Sequence, residues 1–155
     1  MKKLFVLCLV AVFMLSLQSC KSSMTYDDLD SVTIETILDL PEGSYIVVAY
    51  QDNCPNCDDL LGTVESYYKY AKKHEGAMNI YGIDVNLTIN QKMILKPDGT
   101  YPDDMVGTTN RNHIKVKSTP AIFVIESGQV VKVISDYNET KVVDKAKEYF
   151  KELMK

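Results

Sequence analysis

Apolar residues run almost without interruption from Leu4 to Leu17, directly after the positive start Met1-Lys2-Lys3. A run of that length behind a basic start reads as an export leader, being short for a membrane span. Lys21 to Asp30 is polar and predicts a solvated tether, with the acids Asp27, Asp28 and Asp30 in water. Between Ser31 and Leu40, Ile34, Ile37 and Leu38 fall at helical spacing, which predicts a helix ended by Pro41-Glu42-Gly43. Tyr45-Ile46-Val47-Val48-Ala49-Tyr50 is continuous and β-rich, the pattern of a strand buried on both faces. Leu60, Leu61, Val64, Tyr67, Tyr68 and Ala71 share one helical face, and Gly76 lies just beyond the predicted stop. Asn79 to Val85 reads as a strand, so strand, helix and strand form a βαβ unit.

Asn86 to Lys115 shows no long period. Lys96-Pro97-Asp98-Gly99 predicts a turn, and Tyr101-Pro102-Asp103-Asp104 the start of a short helix. A link this long is either functional, shaping a substrate groove before Pro120, or a structural insertion. Ala121 to Glu126 and Val130 to Ile134 predict two strands, with Ser127-Gly128-Gln129 as a tight connection. Val142, Val143, Ala146, Tyr149, Phe150 and Leu153 form one stripe of a final amphipathic helix.

The chain has 155 residues, which fits one domain, and its 46 % hydrophobic and 25 % charged residues are enough for a core. Net charge is -4 with no Lys/Arg block, so nucleic acid is not an expected partner. Leu17-Gln18-Ser19-Cys20 resembles the bacterial lipoprotein cleavage signal, in which the chain is cut before Cys20 and Cys20 carries the lipid. An ordinary cleaved signal peptide or an uncleaved anchor are the alternatives. Lipid on Cys20 would hold the domain to the outer face of a bacterial cell membrane or in a periplasm. Loss of residues 1–19 takes away Lys2 and Lys3 and no acid, so net charge goes from -4 to -6. Cys8 leaves with the leader and Cys20 is consumed, so Cys54 and Cys57 are the thiols that remain, outside the reducing cytosol.

Cys54-Pro55-Asn56-Cys57 stands where a strand ends and a helix begins. With Cys54 as the cap residue, Pro55 occupies the first helical position, which proline favours. The first-turn amides and the helix dipole then favour a thiolate on Cys54, making it the nucleophile. Cys57, one turn in, is close enough to form or resolve a disulfide. Asp52, Asp58 and Asp59 oppose a nearby thiolate, so the expected lowering of the Cys54 pKa is moderate. A static structural disulfide is the plain alternative. Zinc needs two more ligands, and only His74 and His113 stand beside the carboxylates. His74 reads as a solvated residue near a helix C-terminus. His113 reads as a surface histidine in the loop before Pro120, within reach of approaching the cysteine pair.

From about Ser44 onward the chain resembles the thioredoxin-like superfamily. The resemblance rests on the apolar strand, Cys-Pro-Asn-Cys, the helix, the strand ending Ile83-Asp84-Val85-Asn86, then Ser118-Thr119-Pro120, the hairpin and the last helix. It is also similar to small exported thioredoxin-like lipoproteins and bacteriocin-transport accessory proteins. The resemblance implies an α/β fold with a central mixed four-stranded sheet flanked by helices and an insertion before the cis-proline. It implies a cis Pro120 beside the cysteine pair, an uncommon conformation kept for function, and backbone hydrogen bonds from Thr119 to substrate. Asn53 stands where many members carry Trp, and Val48 where thioredoxin keeps a buried acid.

The expected function is a membrane-anchored thiol-disulfide oxidoreductase outside the cytoplasm. Cys54 and Cys57 are catalytic, Thr119 and Pro120 position the substrate, and Pro55 and Asn56 complete the motif. Protein thiols and disulfides are its substrates, and a separate redox partner recharges the pair. No metal or organic cofactor is required. The alternative is a non-catalytic accessory lipoprotein that binds a peptide or a transporter, with Cys54–Cys57 as a stable bridge.

Overall fold

The computed structural model describes residues 24–138 and 140–155. The expected leader, Cys8 and the lipidation residue Cys20 lie outside them. The elements in chain order are β1 (Asp30–Ser31), β2 (Ser44–Tyr50), α1 (Pro55–Ala71), β3 (Asn79–Asp84), β4 (Ala121–Glu126), β5 (Gln129–Ile134) and α2 (Val142–Leu153). They form one mixed sheet of order β1-β3-β2-β4-β5. The central β2 runs parallel to β3, pairing Val48 with Gly82, and antiparallel to β4, pairing Val48 with Ile122. This is the mixed α/β, thioredoxin-like arrangement, with Cys54–Cys57 at the β2–α1 junction.

Side chains alternate across β2. Tyr45, Val47 and Ala49 enter one core cluster and Ile46, Val48 and Tyr50 the other. Both faces of β2 are therefore covered, which is why its sequence is a continuous apolar run rather than an alternation. Leu60, Val64 and Tyr67 of α1 and Ala146 and Phe150 of α2 cover the second face, with the Tyr67 and Phe150 rings 5.2 Å apart.

Segment 86–115 covers the opposite face. Met93, Met105 and Ile114 are fully buried there, beside Val32, Ile34 and Ile37. The fully buried Asn90 side chain donates to the Asp84 carbonyl and accepts from the Ile34 N–H, both at 2.8 Å, so no buried amide is wasted. Arg111 joins the two covering segments by ion pairs to Glu35 (3.2 Å) and Asp39 (3.1 Å). The long link is thus an integral layer of the core. Its 3-10 turns span Thr88–Met93 and Arg111–His113, and Lys96-Pro97-Asp98-Gly99 closes as a turn with Gly99 N–H on the Lys96 carbonyl (2.8 Å).

Five expectations change. The sheet has five strands rather than four, because Asp30–Ser31 pairs parallel with Tyr81 and Gly82. Both residues are exposed, and a two-residue edge strand held by its neighbour's backbone leaves no hydrophobic pattern. The helix expected over Ser31–Leu40 is a strand followed by turns. Thr33 and Thr36 bond each other's backbone and hydroxyl groups, and the β-branched run Val32, Thr33 and Ile34 disfavours helix. No helix starts at Tyr101; the chain makes turns through Asp103–Gly107. The stretch expected as a tether is folded from Met24 on, with Met24, Tyr26 and Leu29 buried although Asp27, Asp28 and Asp30 are exposed.

The hairpin turn is tighter than expected. Ser127 and Gly128 both take positive φ (49° and 76°), the pair of values a two-residue turn requires, so Gln129 already belongs to β5.

Candidate active site

β2 ends at Tyr50, and the chain turns through Asn53, whose positive φ of 54° asparagine tolerates better than most residues. Cys54 follows in an extended conformation as the cap of α1, with Pro55 as the first helical residue. The Cys57 N–H donates to Cys54 Sγ at 3.1 Å. Cys54 and Cys57 are joined as a disulfide, S–S 2.17 Å and Cα–Cα 5.2 Å. Both are buried, at 5 % and 2 % exposure, while Pro55 and Asn56 are exposed on the rim.

The Thr119–Pro120 peptide is cis and Thr119 reaches the same sulfur. Its hydroxyl donates to Cys54 Sγ at 3.3 Å, and its carbonyl oxygen lies 3.4 Å from that atom. A disulfide sulfur carries no proton, so the carbonyl is a neighbour here and an acceptor only for a protonated thiol. The hydroxyl and the Cys57 N–H are the two donors a thiolate would use. The family resemblance implies a backbone role for Thr119 toward substrate; the structure places its side-chain hydroxyl on the sulfur. Asp52, Asp58 and Asp59 are all exposed, and Lys147 pairs with Asp59 at 2.7 Å, which offsets one of the three opposing charges.

Tyr26 was missed. Its hydroxyl donates to the Cys57 carbonyl at 2.8 Å, and its ring stacks on Tyr50 at 4.8 Å. Tyr50 in turn donates to Asp27 at 3.0 Å. Burial, and then the Asp58 charge, hold the Tyr26 hydroxyl far above the ordinary phenol range, so it is a neutral donor and not a base. Val48 lies fully buried in the same cluster as both cysteines. The signal for Tyr26 was the apolar set Met24, Tyr26 and Leu29 inside an acidic stretch, too short to show a period.

His113 Nδ1 sits 2.9 Å from the Asp104 carboxylate. His74 stacks on Tyr70 with ring centroids 3.9 Å apart and Nδ1 2.8 Å from the Tyr70 carbonyl. Among the described residues no three His, Cys, Asp or Glu side chains gather as a metal site. An open groove of about 580 Å³ starts at Asn56 and Ser118 and reaches the first turn of α2 at Val142, with Asp136 and Lys141 on its walls.

No protein-family model matches the chain, and no curated protein matches its sequence. Solved structures similar in shape include thioredoxin f2 of Chlamydomonas reinhardtii (11% identity, 78% of this chain and 95% of that one, TM-score 0.47). A point-mutant thioredoxin from Halobacterium salinarum is 16% identical over 86% of this chain and 97% of its own, TM-score 0.48. The first thioredoxin domain of mouse protein disulfide-isomerase A4 is 14% identical over 88% and 89%, TM-score 0.43. The strand order β1-β3-β2-β4-β5 and the cysteine pair at the β2–α1 junction define the fold.

Proposed function

We propose that this chain is a thiol-disulfide oxidoreductase working outside the cytoplasm, tethered to a membrane by lipid on Cys20. The observation that carries the reading is the pair of donors on Cys54 Sγ, the Cys57 N–H at 3.1 Å and the Thr119 hydroxyl at 3.3 Å. Donors on sulfur stabilise a thiolate, both as attacking group and as leaving group.

In the reducing direction the Cys54 thiolate attacks one sulfur of a substrate disulfide. That S–S bond breaks and the other substrate sulfur leaves as a thiolate. Cys57, as thiolate, then attacks Cys54 Sγ and releases the second substrate sulfur. The substrate gains two electrons and two protons, and the chain ends as the disulfide. The oxidising direction is the same sequence reversed, with a substrate thiolate attacking Cys54. Thr119 and Pro120, against the sulfur, position the substrate chain. An external thiol or disulfide partner restores the starting state. Protein thiols and disulfides are the substrates.

The burial of both cysteines favours a second reading, an accessory lipoprotein that binds a peptide or transporter with Cys54–Cys57 as a stable bridge. The equilibrium reduction potential against glutathione, read by thiol trapping, separates the two. A value near about -270 mV marks a reductant and one near about -120 mV a disulfide donor. A value below about -300 mV with no measurable exchange marks the structural bridge.

A further inference from the structure

Segment 86–115 does more than cover the sheet. At Tyr101 it touches both chain segments that border the groove beginning at Asn56 and Ser118. The Tyr101 hydroxyl accepts from the Lys117 N–H at 2.9 Å and donates to the Asp136 carboxylate. Lys117 Nζ lies over the Tyr101 ring at 5.3 Å, and the ring packs edge-on against Tyr137 at 5.1 Å. Lys117 directly precedes Ser118 and Thr119, the residues at the mouth of the groove and on Cys54 Sγ. Asp136 lines the same groove, in the turn between β5 and α2. One phenol oxygen therefore ties the loop that presents Thr119 to the turn that carries Asp136 along the groove. Within the same segment, Met105 and Ile114 are anchored in the core, so the tie is held to a rigid layer.

We infer that Tyr101 is a positioning residue for polypeptide substrates, holding the Lys117–Thr119 loop against the Asp136 turn and so setting the shape of the groove that both line. The inference rests on the oxidoreductase reading and adds to it the residue that shapes the groove for a polypeptide substrate. A polypeptide disulfide must lay chain along the groove on either side of the reacting sulfur. A small disulfide such as glutathione disulfide needs little beyond Cys54 itself. Groove shape therefore matters to the first far more than to the second.

The test compares the reduced full chain in detergent with its Tyr101→Phe variant, in exchange with insulin and with glutathione disulfide. Phenylalanine keeps the ring and removes both hydrogen bonds. The rate constant for insulin is expected to fall about fivefold or more relative to that for glutathione disulfide. The loss should lie in the insulin concentration needed for half-saturation, not in the limiting rate. Asp136→Ala cuts the same tie from the other side and should act in the same direction. The double variant should be no worse than the worse single one, because both break a single link. Equal losses for the two substrates, no loss, or additive effects in the double variant overturn the inference alone. A wild-type chain inert towards both substrates overturns the oxidoreductase reading and this inference with it.

Discussion

The hydroxyl of Thr119 stands 3.3 Å from Cys54 Sγ, while the carbonyl of the same residue lies 3.4 Å from that atom. These two groups act oppositely on the reduced protein. The hydroxyl donates to a thiolate, and the carbonyl accepts from a thiol. Thr119→Val keeps the carbonyl and the side-chain shape and removes only the donor. In the reduced protein the Cys54 pKa is expected to rise by about one unit, as a bond to a charged group is worth roughly 1.5–3 kcal/mol before solvent weakens it. Losing stabilisation of the reduced form also moves the reduction potential to a more negative value. Thiol alkylation against pH and a glutathione titration read both, and an unmoved pKa rejects the role.

Tyr26 fixes the N-terminal segment to the first turn of α1. Tyr26→Phe removes one buried bond to the Cys57 carbonyl and is expected to cost about 1 kcal/mol in urea unfolding. Tyr26→Ala also strips the ring from Tyr50 and should cost about 3 kcal/mol or more. If both variants unfold like the wild type, the segment is not part of the cooperative domain.

Met105 is fully buried, whereas Ile89 in the same segment is 46% exposed. Met105→Ala should destabilise by about 2–5 kcal/mol, and Ile89→Ala by about 0.5 kcal/mol or less. A Met105→Ala protein as stable as Ile89→Ala would show that the segment is not a core layer.

The Tyr81 hydroxyl donates to the Glu42 carboxylate. That bond holds Glu42 below the ordinary carboxylate range. Burial first, then the Glu42 partner, pushes Tyr81 up to about 12. Glu42 therefore stabilises the fold above its ordinary pKa of 4.5, and that contribution is lost as pH falls through its lower folded value. Tyr81 contributes fully below its ordinary 10.0, and that contribution is lost as pH rises to about 12. Tyr81→Phe removes both. The wild-type advantage, about 1 kcal/mol near neutrality, should shrink at both extremes. Chemical unfolding at acid, neutral and alkaline pH checks this, and an advantage that grows in acid would contradict it.

Long elements with a strong period were legible in the sequence. The Tyr45–Tyr50 run and the α1 and α2 stripes appear where the pattern placed them, and the hairpin within one residue of it, because a buried face of six or more residues leaves a repeat. The cysteine pair was legible for a related reason. Strand end, Cys, Pro and Cys one turn on are local in the chain, and cap geometry follows from local sequence.

What tertiary structure decided has no local period. Asp30–Ser31 is a strand only because β3 offers it backbone partners. Ile34, Ile37 and Leu38 have helical spacing but are buried through turns, since threonine hydroxyls capture the backbone and Asn90, 56 residues on, takes the Ile34 N–H. Tyr26 on Cys57, Thr119 on Cys54, and Tyr101 between Lys117 and Asp136 are contacts across 31, 65, 16 and 35 residues. Sequence by itself set which faces of the long periodic elements would be buried and that the Cys54 sulfur would sit on a helix cap. Only the packed sheet, by bringing distant loops to one end of β2, decided which side chains surround that sulfur, because a single hydrogen bond between remote residues leaves no trace in either one's neighbours.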